Sequence, residues 1–236
     1  MAARLDSSAV LHEWPDRDAL DRALADAVGA ALQAGLERRG AASLVVSGGR
    51  TPLGFLRALA QAPLDWSQVV VTLADERWVD VLDEASNERL LVSALAGTPA
   101  AAARIVGLKT AHADPESALA EVAARLATLP RPFDAVVLGM GDDGHTASLF
   151  PDAPQLAAAI ASPAPVAALT PRATAHARLS LTPVALFDAQ ALFLHITGDG
   201  KRSVLATALG DGPVEALPVR LALRHDRPVC QVYWAP

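Results

Sequence analysis

Between residues 16 and 39 the apolar side chains Leu20, Ala23, Leu24, Ala27, Val28, Ala31 and Leu32 recur at helical spacing. This pattern predicts an amphipathic helix that closes near Gly40. After it the texture changes to short unbroken apolar runs at 43–46, 69–73, 104–107, 135–138, 178–182, 191–197 and 229–234, each read as a buried strand. Helical segments lie between them at 53–59, 87–95 and 115–128, the last with Asp114 as N-cap. Thr182 and Pro183 read as an N-cap followed by proline at the first helical position. A further helix opens at 198–201. Prolines 163 and 165 predict an extended stretch, so 151–165 is expected to be loop. Strands alternating with helices predict an α/β fold: a mostly parallel sheet covered by helices on both faces. No repeat, low-complexity linker or domain boundary interrupts the pattern, so residues 1–236 are expected to form one domain.

Composition narrows the functional classes. The chain is 52% hydrophobic but only 4% aromatic, so the core is aliphatic. Net charge is −6 and no Lys/Arg cluster occurs, which disfavours nucleic acid as a partner. No apolar run has the length of a membrane span. No basic segment followed by an apolar one opens the chain, so a soluble cytoplasmic protein is expected. The single cysteine, Cys230, lies in an apolar run and reads as a buried strand position. The six histidines show no metal-ligand spacing, and no metal or cofactor is expected. His12 and His225 sit among polar residues and read as surface positions, and His195, inside an apolar strand, as a hydrogen-bonded core residue.

Three strand ends carry chemistry. The segment GMGDDGHTASLFP, residues 139–151, follows the 135–138 strand. Its glycines allow close backbone approach to a ligand, and it supplies His145 as a candidate general base with Asp143 to orient it. The segment formally fits G-x-G-x-x-G. Asp142 and Asp143 would then face a pyrophosphate, and no acidic residue follows at the required distance, so a dinucleotide site is rejected. SGGRTP, residues 47–52, joins a strand to a helix with the composition of a phosphate cradle. DERW, residues 75–78, places Asp75 for a sugar hydroxyl or a proton and Arg77 for an anion. Arg178 and Lys201 are further candidate anion partners. No G-x-S-x-G nucleophile elbow is present.

Together with SNERL (86–90), RLSLTP (178–183), Gly200–Lys201 and LPV (217–219), these segments resemble, in order, the 6-phosphogluconolactonase family. That family shares a superfamily with glucosamine-6-phosphate deaminase/isomerase. The resemblance implies a single α/β domain with a Rossmann-like sheet. It implies hydrolysis of 6-phospho-D-glucono-1,5-lactone in the oxidative pentose phosphate pathway, without metal or cofactor. By that likeness Ser47, Gly48, Gly49, Arg50 and Thr51 bind the phosphate with Arg77, Arg178 and Lys201, and His145 is the catalytic base, assisted by Asp143. Asp75, the proton-abstracting acid of the deaminase pattern, is retained. The deaminase glutamate before the proline is replaced by Phe150, and its Asp-Glu-Tyr by Asp75, Glu76 and Arg77, which disfavours the deaminase alternative. A second alternative, a non-catalytic sugar-phosphate-binding module, leaves Asp143 and His145 without purpose. Backbone amides of 139–144 or Arg77 are the candidates for stabilising the C1 oxyanion.

Overall fold

The computed structural model describes residues 9–49 and 51–236, and the backbone of 2–4. In chain order the elements are β1 (Ala2–Arg4), β2 (Val10–Glu13), α1 (Arg17–Arg39), β3 (Ala42–Val46), α2 (Leu53–Leu59), β4 (Val69–Leu73), β5 (Asp75–Arg77) and α3 (Asn87–Leu95). Next come β6 (Arg104–Val106), α4 (Pro115–Leu126), β7 (Ala135–Leu138), α5 (Leu156–Ala161), β8 (Val166–Leu169) and β9 (Arg178–Leu181). The chain finishes with α6 (Pro183–Leu186), β10 (Leu192–Thr197), α7 (Asp199–Leu209), α8 (Arg220–Leu223) and β11 (Cys230–Ala235).

The described residues form an eight-stranded sheet in the order β1-β2-β11-β10-β7-β3-β4-β6. Every pairing is parallel except β1 with β2. Strands β3, β4 and β7 are buried at every position, so both faces of the sheet are covered, as the unbroken apolar runs predict. The α/β fold with a mostly parallel sheet and packed helices is therefore the observed one.

Helix α1 begins on Asp16, whose carboxylate accepts from Ala19 N at 2.8 Å, and ends at Gly40 with φ 71°. Its last turn carries Arg38 and Arg39, which pair with the fully buried Asp134 ahead of β7. Asp134 also accepts from Ser43 N at 2.8 Å, so one carboxylate joins α1 to β3 and β7.

Several expectations are corrected. The 178–182 strand is real, but it belongs to a second sheet, β5-β9-β8, which is antiparallel. DERW does more than end a strand: Asp75–Arg77 form β5 and pair with β9, because Ala74 O accepts from Leu181 N and redirects the chain out of the main sheet. Thr182 is the N-cap residue of α6 and Pro183 its first residue, as predicted, but the Thr182 hydroxyl does not cap the helix amides; it donates to Ala164 O at 2.6 Å. The 151–165 segment holds the short helix α5, formed by an alanine-rich stretch between its prolines. His12 is half-buried against Trp14 and Tyr233, and His225 stacks on Phe187. His195 is buried but makes no hydrogen bond among the described residues; its Nε2 lies 3.3 Å from Asp21 Oδ1 without hydrogen-bond alignment. Cys230 is buried in β11, which pushes its thiol up to about 12.

Candidate active site

Strand order reverses between β3 and β7: the chain builds outward from β3 through β4 to β6, and from β7 through β10 to β11. A crevice opens at such a switch point, outside the carboxyl ends of the strands. The cleft here is lined from those ends, by Ser47–Gly49 after β3, Asp75 and Arg77 after β4, Gly139–Gly141 and His145 after β7, and Lys201 after β10. Arg178 and Asn87 complete its wall.

The segment after β7 folds back on itself. Gly141 N donates to His145 O at 2.8 Å, Gly144 N to Gly141 O at 3.1 Å, and Thr146 Oγ1 to Gly139 O at 2.8 Å. Gly144 takes φ 75°, a conformation that favours glycine. Gly141 is required by contact: a Cβ there would stand 2.0 Å from His145 Nδ1. The fold of the turn brings Asp143 and His145 together, with His145 Nδ1 donating to Asp143 Oδ1 at 2.6 Å. A carboxylate only accepts, so Nδ1 carries the proton and Nε2 is left as the basic nitrogen. Partial burial raises the Asp143 carboxyl, but the hydrogen bond and charge of His145 outweigh it, and the net shift is downward. The His145 ring stacks on Phe150, with centroids 3.9 Å apart.

The loop after β3 is tied to this turn. Ser47 N donates to Val137 O at 2.9 Å, and Gly139 N donates to Ser47 Oγ at 3.3 Å. Gly49 has φ 98°, and a Cβ at Gly48 would strike Asn87 Oδ1 at 1.9 Å, so both glycines are demanded by the local geometry. Thr51 lies at the exposed end of the loop. Arg50 lies outside the described residues.

On the β4 side, Asp75 is buried and its Oδ2 accepts from Ser148 Oγ at 2.5 Å, with Arg178 Nη1 4.0 Å away. Arg77 and Arg178 are direct partners across β5 and β9. Arg77 Nη1 donates to Ala85 O at 2.7 Å, and burial lowers the affinity of Arg178 for its proton while Asp75 opposes that loss. Lys201 pairs with Asp142 at 2.7 Å.

Three supporting residues carried no role in the sequence reading. Glu76 is fully buried and accepts from the backbone amides of Arg77, Asn87 and Glu88 at 2.8 Å and from Ser86 Oγ at 3.1 Å. It thereby seats the start of α3 against β5, and burial raises its carboxyl against the pull of those amides. Asn87 Nδ2 donates to the carbonyl of Asp75 at 2.8 Å, leaving its Oδ1 without a hydrogen-bond partner among the described residues. Ser148 reaches Asp75 from the His145 segment. The signal was present in the DER and SNERL strings, but spacing alone does not say that residues ten apart share a carboxylate.

The structure thus brings Ser47, Gly48, Gly49, Thr51, Asp75, Arg77, His145, Arg178 and Lys201 to one cleft, with Asp143 behind His145. Among the described residues no group of three or more His, Cys, Asp or Glu is placed to hold a metal ion, and no helix is long and apolar enough to cross a membrane. The arrangement suits acid–base chemistry on a small anionic substrate.

Known proteins bear the same stamp. A 6-phosphogluconolactonase of Rhizobium meliloti (strain 1021) is 46% identical over 231 residues, covering 97% of this chain and all of that protein. One of Pseudomonas putida is 42% identical, covering 99% of this chain and 96% of its own. The crystal structure of a 6-phosphogluconolactonase from Shewanella baltica OS155 superposes with a TM-score of 0.95 at 39% identity, covering 97% of this chain and 98% of that one. The family described as glucosamine-6-phosphate isomerases/6-phosphogluconolactonase matches residues 15–234, and the chain belongs to it.

Proposed function

We propose that this chain hydrolyses 6-phospho-D-glucono-1,5-lactone to 6-phosphogluconate, in the oxidative pentose phosphate pathway and in the cytoplasm. The observation that carries the reading is the Asp143–His145 pair, with Phe150 stacked on the imidazole where a deaminase would need an acid. Near-full-length identity to proteins named for this reaction supports it.

In the proposed mechanism the Gly48–Gly49 loop, Ser47 and Thr51 receive the phosphate, with Arg50 a further candidate from the sequence. Arg77, Arg178 and Lys201 supply positive charge to the cleft, for the phosphate and for the charge that develops during hydrolysis. The phosphate is remote from the reacting carbon, so its binding contributes orientation as well as affinity. Asp143 holds His145 in the Nδ1–H form. His145 Nε2 takes a proton from water as the water attacks C1, then returns it to the ring oxygen. Asp75 faces the sugar hydroxyls. Residues 1–236 act as one catalytic unit.

The test compares consumption of freshly generated lactone, at mildly acidic pH, with ammonia release from glucosamine 6-phosphate. Lactone loss far above background without ammonia is expected. Ammonia release would overturn the reading in favour of a deaminase, and inactivity on both in favour of a binding module.

A further inference from the structure

Arg178 differs from the other cations of the cleft. Arg77 donates to Ala85 O, and Lys201 pairs with Asp142. The Arg178 side chain is only 10% exposed, yet it makes no hydrogen bond to any described residue, and its buried Nε has no partner; Asp75 Oδ2 lies 4.0 Å from Nη1, and Arg77 and Glu76 are the other charged groups beside it. Burying a guanidinium this far with an Nε–H left unpaired is costly. Such a group is retained when a ligand supplies the acceptor.

Its position says which part of the ligand does so. The Arg178 guanidinium carbon stands 5.3 Å from the ring of Phe150, which also stacks on the imidazole of His145. The guanidinium and the base are therefore both neighbours of the Phe150 ring. Lys201 follows β10, on the far side of the cleft. Phe55 of α2, four residues after Thr51, meets His195 of β10 edge-on at 6.0 Å, which brings this end of α2 to β10. Arg178 enters from β9, whose partner β5 follows β4, and between β10 and β4 run β7 and β3, about 14 Å at ~4.8 Å per strand step.

Resting on the lactonase reading, we propose that Arg178 stabilises the C1 oxygen as the lactone carbonyl becomes an oxyanion, and that the phosphate is held at the Thr51–Lys201 end. Charge supports this division. A phosphate dianion beside Arg178 would also lie beside the Asp75 carboxylate, which repels it. A lactone carbonyl is neutral when it binds and carries at most one charge in the transition state, so it meets less of that repulsion than a phosphate dianion and gains its attraction to Arg178 as the charge develops. Lys201 has no comparable obstacle, since its partner Asp142 is 90% exposed. In the step itself, water oxygen bonds to C1, its proton goes to His145, and the carbonyl pair moves onto the oxygen facing Arg178. As that pair returns, the C1–O5 bond breaks and His145 gives its proton to O5.

The test uses the full chain and two ligands that differ only at C1: 6-phosphogluconate, with a carboxylate, and glucitol 6-phosphate, with a hydroxyl. Arg178→Gln is expected to lower kcat about 10²–10³-fold while KM changes little. By calorimetry it should keep wild-type affinity for glucitol 6-phosphate and lose affinity for 6-phosphogluconate. Retained binding of glucitol 6-phosphate also shows that the variant is folded; if Arg178→Gln does not fold, Arg178→Lys carries the same comparison. Equal weakening of both ligands with kcat preserved would overturn the proposal and make Arg178 a phosphate residue. Binding of neither ligand by the wild-type protein would instead overturn the lactonase reading beneath it.

Discussion

Phe150 lies against His145 with ring centroids 3.9 Å apart and planes 24° from parallel. Stacked rings of this kind add about 0.5–1.5 kcal/mol beyond area burial. Here the stack holds an imidazole whose other side is fixed by Asp143. Phe150→Leu keeps an apolar side chain of similar size but removes the aromatic face. It should lower kcat by about 3–10-fold with KM little changed, as steady-state lactonase assays will show. An unchanged kcat would mean that Asp143 alone orients the ring.

His145→Ala removes the proposed base. It should cut kcat by about 10²–10⁴-fold with a small effect on KM. Asp143→Asn loses the acceptor that selects the Nδ1–H form, and should reduce kcat more than tenfold, roughly the lower part of that range. Because the Asp143 carboxyl lies below its ordinary value, it stays charged in mild acid. The acid limb of the wild-type pH–rate profile should therefore contain no carboxylate transition above the usual aspartate range.

Gly141→Ala tests the turn from outside the acid–base pair. Its Cβ would meet His145 Nδ1 at 2.0 Å and Asp143 Oδ1 at 2.5 Å, so the pair must separate. Activity should fall toward that of His145→Ala, while affinity for glucitol 6-phosphate is retained. Wild-type turnover would remove the observed pairing from the mechanism.

Lys201→Ala should act on binding. Loss of a charge-assisted contact of about 1.5–3 kcal/mol predicts a KM increase of roughly 10–100-fold, with kcat within a few-fold. The Lys201–Asp142 pair is solvent-facing on the aspartate side and contributes little to stability. Asp142→Asn should leave the melting temperature unchanged and lower KM by freeing Lys201 for the substrate.

Glu76 offers a pH test of the scaffold. Burial raises its carboxyl in the folded chain, so the folded state binds this proton more tightly than the unfolded state. Stability contributed through Glu76 is thus fully present below the unfolded value and declines as pH rises through the raised folded value. Glu76→Gln should remove that slope from denaturant titrations. It should also cost about 1–3 kcal/mol at neutral pH, because an amide N–H then faces two donors. A pH slope unaltered by the substitution would show that Glu76 is not its source.

Local pattern carried most of the element order. The apolar runs at 43–46, 69–73 and 135–138 become β3, β4 and β7 because strands buried on both faces need no alternation. Asp16, Asp114 and Gly40 mark helix ends through hydrogen bonds or a left-handed φ that involve only nearby residues. The pairing of Asp143 with His145 was equally legible, since two residues in one glycine turn must lie close.

Where contacts span the chain, sequence was silent. Nothing local distinguishes β9 from a main-sheet strand; the antiparallel β5-β9-β8 sheet exists because Ala74 hands the chain from one ladder to the other. The same long-range geometry sets Ser148 on Asp75 across 73 residues and leaves Arg178 buried beside Phe150 without a hydrogen bond. Sequence thus determined most of the strands, the helix caps and the turn that pairs Asp143 with His145, each governed by interactions within a few residues. Tertiary structure alone decided which cations share a side of the cleft, because charge placement depends on strand order and burial, and neither is written in spacing.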